Sequence, residues 1–255
     1  MKTRTFGSTK KARLSRILFW VVLAAVLLVL TGSLSGCSVI SNMIGGEVLT
    51  YPVSEPLGMA SSAEFEIYTG SGNLTVDGQA DIDMLAGGSL QYQEKWGSPA
   101  QTLEMNSSKA TFTLTWGERK ACTAALEWLV NLNPAVAADL TARSGGGNIS
   151  LDLTGMNLTS VFTETGGGNV EVTLPEQMST LNVTAKSGAG NVVVTIPAGA
   201  AARIHASTGV GQIIIDPRFV KIDDQTYQSA DYETAANRVE LTLGSGAGNV
   251  EVRSN

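Results

Sequence analysis

The sequence predicts an all-β chain wound as a β-solenoid, and three observations carry that expectation. A unit Gly-x-Gly-Asn, or Gly-x-Gly-Gln once, recurs with alternating apolar residues behind it, ending at Asn73, Asn148, Asn169, Asn191, Gln212 and Asn249. Its second glycine steps by 75, 21, 22, 21 and 37 residues. Three consecutive steps near 21 indicate one coil per repeat. Ahead of each unit lies a second alternating run whose inward column reads Phe65, Leu140, Val161, Val183, Ile204 and Leu241 at matching positions. Period-two alternation of this kind marks a half-buried strand.

The first 36 residues stand apart from this repeat. They carry Lys2, Arg4, Lys10, Lys11, Arg13 and Arg16 and no Asp or Glu. An apolar run from Ile17 to Leu30 follows the basic stretch, then Thr31, Gly32 and Ser33. This is signal-peptide architecture. Fourteen apolar residues fall short of the roughly 20 needed to cross a bilayer core, although extension to Leu34 nearly suffices, so length alone leaves an uncleaved anchor open. Leu34-Ser35-Gly36-Cys37 resembles the bacterial lipobox. The resemblance implies a diacylglycerol on the Cys37 thiol, cleavage before it, and acylation of the new amino terminus. Two or three acyl chains anchor stably where one binds marginally. The implied address is the extracytoplasmic face of a bacterial membrane. Only Cys122 then remains, without an intramolecular partner, and it is expected to be a small buried hydrophobe.

Residues 37–62 read as a lipidated tether with at most one short strand, being rich in Gly, Ser and Pro. The domain is expected over 63–255. Within each coil, the inward column shrinks toward the glycine turn, through Ile67, Ala142, Thr163, Ala185, Ala206 and Leu243 to Thr69, Ser144, Thr165, Ser187, Thr208 and Ser245. Such a taper fits a flattened tube whose two sheets converge at a tight edge. An antiparallel sandwich also turns every 8 to 12 residues, but nothing obliges it to repeat four residues at one station. Stacking explains the repetition: Asn73, Asn148, Asn169, Asn191, Gln212 and Asn249 are expected in a ladder at ~4.8 Å, amides bonding along the axis. The same register places Arg143, Glu164 and Lys186 in one outward column. In the gap between the first two units, Leu90, Tyr92, Phe112, Leu114, Trp116, Trp128 and Val130 predict further strands, with Trp96, Trp116 and Trp128 as core or end-cap fillers. The last step, of 37, reads as one coil plus about 16 inserted residues, near Asp216 to Asn237.

Glu127-Trp128-Leu129-Val130-Asn131-Leu132-Asn133-Pro134-Ala135-Val136, the serial glycine turns, Leu153-Thr154-Gly155, Leu174-Pro175 and Ile196-Pro197 resemble the bacterial adhesin-like toast-rack and head-GIN domains, some of which form part of LiaF-like envelope-stress proteins. The resemblance covers about 63–255, with Ala137 standing where these families often have a second proline. It implies a β-solenoid in an extracytoplasmic setting. It brings no residue-level ligand site.

Composition narrows the function classes. Without its first 36 residues the chain has 11 basic against 23 acidic side chains, a net charge of −12. Such a body repels phosphate backbones, which argues against nucleic acid. His205, the single histidine, is expected on a solvated strand face, which excludes a His-Glu-x-x-His zinc site. The glycine turns lack the Gly-Lys-Ser/Thr of a phosphate loop. Neutral amides give weak calcium sites, and neither a metal nor a cofactor is expected. Asp81, Asp83, Asp223 and Asp224 form the close carboxylate pairs, read as loop charges. The expected function is a non-enzymatic surface lipoprotein serving adhesion, envelope interaction or stress signalling, with envelope proteins or glycans as partners. The alternative is a glycan-active enzyme or glycan-binding module, with its site in the irregular section 79–131.

Overall fold

The computed structural model describes residues 47–116 and 126–255. The expected signal segment 1–36, Cys37 and Cys122 lie outside the described residues. The strands are β1 (Val48–Pro56), β2 (Ser62–Thr69), β3 (Asn73–Asp77), β4 (Met84–Gln93), β5 (Pro99–Asn106), β6 (Lys109–Trp116), β7 (Glu127–Leu132), β8 (Ala137–Ser144), β9 (Ile149–Asp152) and β10 (Leu158–Thr165). They continue with β11 (Val170–Thr173), β12 (Thr180–Ala189), β13 (Val192–Ile196), β14 (Ala201–Val210), β15 (Ile213–Ile215), β16 (Val220–Lys221), β17 (Thr226–Gln228), β18 (Arg238–Ala247) and β19 (Val250–Ser254). Among the described residues one 3-10 turn, Glu94–Trp96, interrupts them.

These strands form two sheets. One has ten strands in the order β16-β17-β14-β18-β12-β10-β8-β2-β6-β5, and the other nine in the order β1-β4-β7-β3-β9-β11-β13-β19-β15. Each coil gives one strand to each sheet, and neighbouring coils pair in parallel in both. The protein is therefore an all-β solenoid. Its core is the space between the sheets, filled by side chains of one parity.

Phe112, Phe65, Leu140, Val161, Val183, Leu241 and Ile204 are in register across seven strands of the ten-stranded sheet. All seven are at most 2% exposed. Leu74, Ile149, Val170, Val192 and Val250 form the facing column in the other sheet and are equally buried. A one-residue slip would turn a whole column to water, so the alternation pins the register. Trp128 is buried and stacks on Trp116 at 6.1 Å, closing the core toward one end.

Two expectations about organisation are corrected. The sequence reads 37–62 as a tether with at most one short strand, yet β1 occupies all nine residues of Val48–Pro56 and pairs antiparallel with β4, so the folded unit starts fifteen residues before Ala63. Its prolines obscure it in the sequence. They are tolerated because β1 is the outermost strand of its sheet, where some amides need no ladder partner. The second correction concerns coil order. Segment 216–237 is an insertion as expected, but the coil that follows it, β18–β19, is not next in the stack. It lies between β12–β13 and β14–β15. The opposite end is permuted likewise: β6–β7 stands outside β2–β3.

Antiparallel strands cover the outer coils. β4 and then β1 extend the sheet beyond β7, β5 covers β6, and β17 with β16 covers part of β14. Covering an open strand edge removes a template for aggregation. The irregular section 79–131 is largely this covering: β4, β5 and the coil β6–β7 belong to it. Buried Asn133 ties it down, its amide nitrogen donating to the Met84 carbonyl at 2.7 Å and its side-chain oxygen accepting the Ala135 N–H at 3.0 Å.

Candidate functional site

The repeated residues converge on the edge where the glycine turns lie. Asn73 Oδ1 accepts the backbone N–H of Asn148 at 3.1 Å, Asn148 Oδ1 that of Asn169 at 2.9 Å, and Asn169 Oδ1 that of Asn191 at 2.9 Å. Asn191 Oδ1 then accepts Asn249 N–H at 2.8 Å, and Asn249 Oδ1 accepts Gln212 N–H at 2.9 Å. All six positions form one row, with Asn249 ahead of Gln212. These bonds differ from the amide-to-amide ladder that the sequence predicts: each side-chain oxygen meets a main-chain N–H of the next coil. A turn amide has no sheet partner, so the side chain supplies its acceptor. Asn73 Nδ2 ends the row on Glu127 Oε1 at 2.7 Å.

A second row, of hydroxyls, runs just inside the first and was not foreseen. Thr165, Ser187 and Ser245 donate to the carbonyls of Gly147, Gly168 and Gly190 at 2.8, 2.7 and 2.8 Å, and Thr208 donates to Gly248 at 2.8 Å. The signal was present in the Ser/Thr column, which reads as a taper in size but also, except at Thr69, provides a donor for the glycine carbonyl of a neighbouring coil. The glycines are required by proximity. A Cβ on Gly190, at φ +156°, would lie 2.1 Å from the Gly168 carbonyl oxygen. The edge is thus a close-packed, nearly uncharged spine of backbone, hydroxyls and amides.

The outward face of the ten-stranded sheet carries the charge column. Glu164 lies in register with Arg143 on one side and Lys186 on the other, and Arg143 Nε is 3.8 Å from Glu164 Oε2 with both side chains about half exposed. The Arg143 guanidinium also lies 4.5 Å from the Phe162 ring. His205 is exposed on the same sheet, its Nδ1 3.3 Å from Thr226 Oγ1. Asp223 caps a turn, accepting from the backbone N–H groups of Gln225 and Thr226.

The displaced carboxyl pKa values all move down. Burial works to raise that of Asp139, but hydrogen bonds from the Thr159 and Ser160 hydroxyls, with Lys109 nearby, outweigh it. The Arg218 N–H lowers Asp216, the Gln225 N–H lowers Asp223, and the Arg253 guanidinium lowers Glu251. Groups held ionised in this way suit structure rather than proton donation. Among the described residues, no three His, Cys, Asp or Glu side chains are placed to hold a metal ion. At the opposite edge, where the chain crosses back between sheets, a shallow groove of about 400 Å³ is lined by Thr154, Asn157, Pro175, Glu176 and Gln177. Among the described residues no helix is long and apolar enough to cross a membrane.

Comparison with known proteins places this geometry. The chain is similar to a solved structure described as a putative cell adhesion protein from Clostridium sporogenes, with 20% identity, 82% of this chain and 100% of that chain covered, and a TM-score of 0.74. It is also aligned with a putative adhesin from Bacteroides fragilis at 8% identity and a TM-score of 0.33, over 81% of this chain and 97% of that chain. No curated protein matches it. Residues 45–195, more than half of the chain and including β1, match the N-terminal domain of toast_rack, DUF2154. With its parallel coils, glycine edge and inward columns, the chain belongs to the toast-rack family.

Proposed function

We propose that the protein is a non-enzymatic lipoprotein, held on the extracytoplasmic face of a bacterial membrane by acylated Cys37, that presents its toast-rack stack for adhesion, envelope interaction or envelope-stress signalling. One observation carries this reading: the Leu34-Ser35-Gly36-Cys37 run closes an apolar segment, and the first strand begins only eleven residues later, at Val48. Eleven extended residues reach at most about 40 Å. The stack then works close against the membrane, as an envelope module rather than a fibre tip.

The chemistry of the described residues supports a scaffold. The exposed His205 has a threonine hydroxyl as its contact, and the displaced carboxyls are held as anions. The adhesion name of the similar Clostridium sporogenes protein is consistent with a surface role.

The test is metabolic labelling with a fatty acid, together with membrane fractionation, of the parent and Cys37→Ser. The parent should take up label and run as a processed form, whereas the variant should take up none and accumulate as precursor. Cleavage of the variant between Gly36 and residue 37 at the parent's efficiency would reject the lipid anchor. Attachment of cells carrying the parent or a deletion, measured on envelope glycans and on host surfaces, then separates adhesion from signalling.

A further inference from the structure

Five Asn-x-Ser/Thr triplets occur in the chain, at Asn73, Asn106, Asn148, Asn157 and Asn182. Such a triplet is the acceptor sequence for N-linked oligosaccharides. It can serve only where the Asn amide, the hydroxyl two residues on and the backbone between them are free to enter an enzyme's cleft. The structure withholds four of the five. Asn73 and Asn148 belong to the glycine edge, each with its Oδ1 accepting a backbone N–H of the next coil. Asn157 is bonded through its N–H to Pro134 and through its carbonyl to Ala138, and the hydroxyl of its Thr159 donates to Asp139 Oδ1. Asn182 stands within β12, in register with Ser160 of β10 and Glu240 of β18, so its backbone is held in a ladder on both sides.

Asn106 differs from these in every respect. It pairs with Lys109 across the tip of the β5–β6 hairpin, with Ser107 and Ser108 as the two turn residues and Ser107 at φ +57°. Residues 104–109 are all exposed. The tip is tied down by main chain alone, the Ser108 carbonyl accepting the N–H groups of Ser61 at 2.9 Å and Ser62 at 3.3 Å. Among the described residues, neither the Asn106 side-chain amide nor the Ser108 hydroxyl has a hydrogen-bond partner.

Two further features favour this position. β5 is the outermost strand of the ten-stranded sheet, so its last residues can open locally while the coils stay paired. Exposed Glu104, two residues ahead of Asn106, adds a carboxylate that a basic group of an enzyme can hold through a charge-assisted hydrogen bond. The other four triplets have Ser71, Gly146, Gly155 and Thr180 at that place.

We propose that Asn106 is an N-glycosylation site, which takes an oligosaccharide from a polyprenyl-pyrophosphate donor through an oligosaccharyltransferase. Asn106 Nδ2 attacks C1 of the donor's first sugar, and the bond from C1 to the pyrophosphate oxygen breaks. Polyprenyl pyrophosphate leaves with the bonding pair, and one amide proton passes to a base of the transferase. Nothing is oxidised or reduced. Meeting such a donor in the cell rests on the extracytoplasmic address proposed above. The glycan stands at the end of β5, where it screens a strand edge open to pairing.

The test incubates the folded full-length chain, in detergent, with a purified bacterial oligosaccharyltransferase and a synthetic polyprenyl-pyrophosphate oligosaccharide. Intact-mass and peptide mass spectrometry then locate the product. The parent should gain one glycan, on the peptide that holds Asn106. Asn106→Gln and Ser108→Ala should each abolish the gain, and Glu104→Lys should slow it several-fold. All three positions are exposed, so the variants should keep the parent's melting temperature. Cys37→Ser should accept the glycan at the parent's rate in this purified reaction, so a failed lipid anchor leaves the result untouched. No transfer to the folded parent, under conditions where the enzyme glycosylates its own standard acceptor peptide, overturns the proposal. Transfer that survives Asn106→Gln overturns it too.

Discussion

Asn169 illustrates how one repeated side chain supports two coils. Its Oδ1 accepts the Asn191 N–H while its own N–H is taken by Asn148, at an exposed edge where water competes. Asn169→Ala should therefore cost about 1 kcal/mol, measured as a lower urea midpoint at unchanged slope. Thr163 presents the opposite case. It is fully buried between Ala142 and Ala185, and its hydroxyl has no partner among the described residues. Thr163→Val replaces a stranded hydroxyl by a methyl of similar size, so the urea midpoint should rise, by about 1 kcal/mol in stability. Both positions stand out in the repeat alignment, but only one as a site of cost. A threonine in an aliphatic column reads as ordinary until the structure shows that no carbonyl comes within reach.

At the scale of the coil, the turn glycines are set by the neighbouring backbone. Gly190→Ala meets both a positive φ and a carbonyl 2.1 Å away, whereas a Cβ on Gly167, in the middle of the preceding turn, meets nothing within 4 Å. The first substitution should cost about 3 kcal/mol or more and the second under about 0.5 kcal/mol, a contrast read from paired denaturation curves. The charge column obeys weaker rules. Glu164→Lys puts a third cation between Arg143 and Lys186, in a setting where exposed pairs are worth about 0.2 to 1 kcal/mol. Its melting temperature should fall slightly, and by more at low salt than at high salt. A large loss independent of salt would contradict the exposed position. The two strand columns were legible in the sequence because period two is strict over each run. β1 was not, since its pairing partner, β4, lies inside the irregular section and its prolines read as tether.

Across the whole molecule, stability should be graded along the stack. The strands β10 to β13 have parallel partners on both sides, while β1, β5 and β16 each stand at a sheet edge. Amide exchange should accordingly be slowest in β10–β13 and fastest at those edges, with local opening spreading inward from either end. Uniform protection along the stack would show instead that the coils open as one cooperative unit. For the candidate site, the sequence located the amide row and the outward column to the residue. The hydroxyl row went unread because a size taper and a donor column are the same residues seen for different properties.

The sequence by itself determined the fold class, the inward columns, the residues of the glycine edge and the place of the insertion, because each depends on local periodicity and on residue types repeated at one station. Tertiary structure decided the order of the coils. The coils β2–β3, β8–β9, β10–β11, β12–β13, β14–β15 and β18–β19 offer similar turn groups and apolar columns on both of their faces, so the repeat pattern does not say which of them lies beside which. That choice rests on contacts made once: segment 216–237 pairing with β14, Asn237 bridging to Glu176 and Met178, and β4 and β5 covering the coil β6–β7. Such contacts join residues far apart in the chain, and no pattern along it records them.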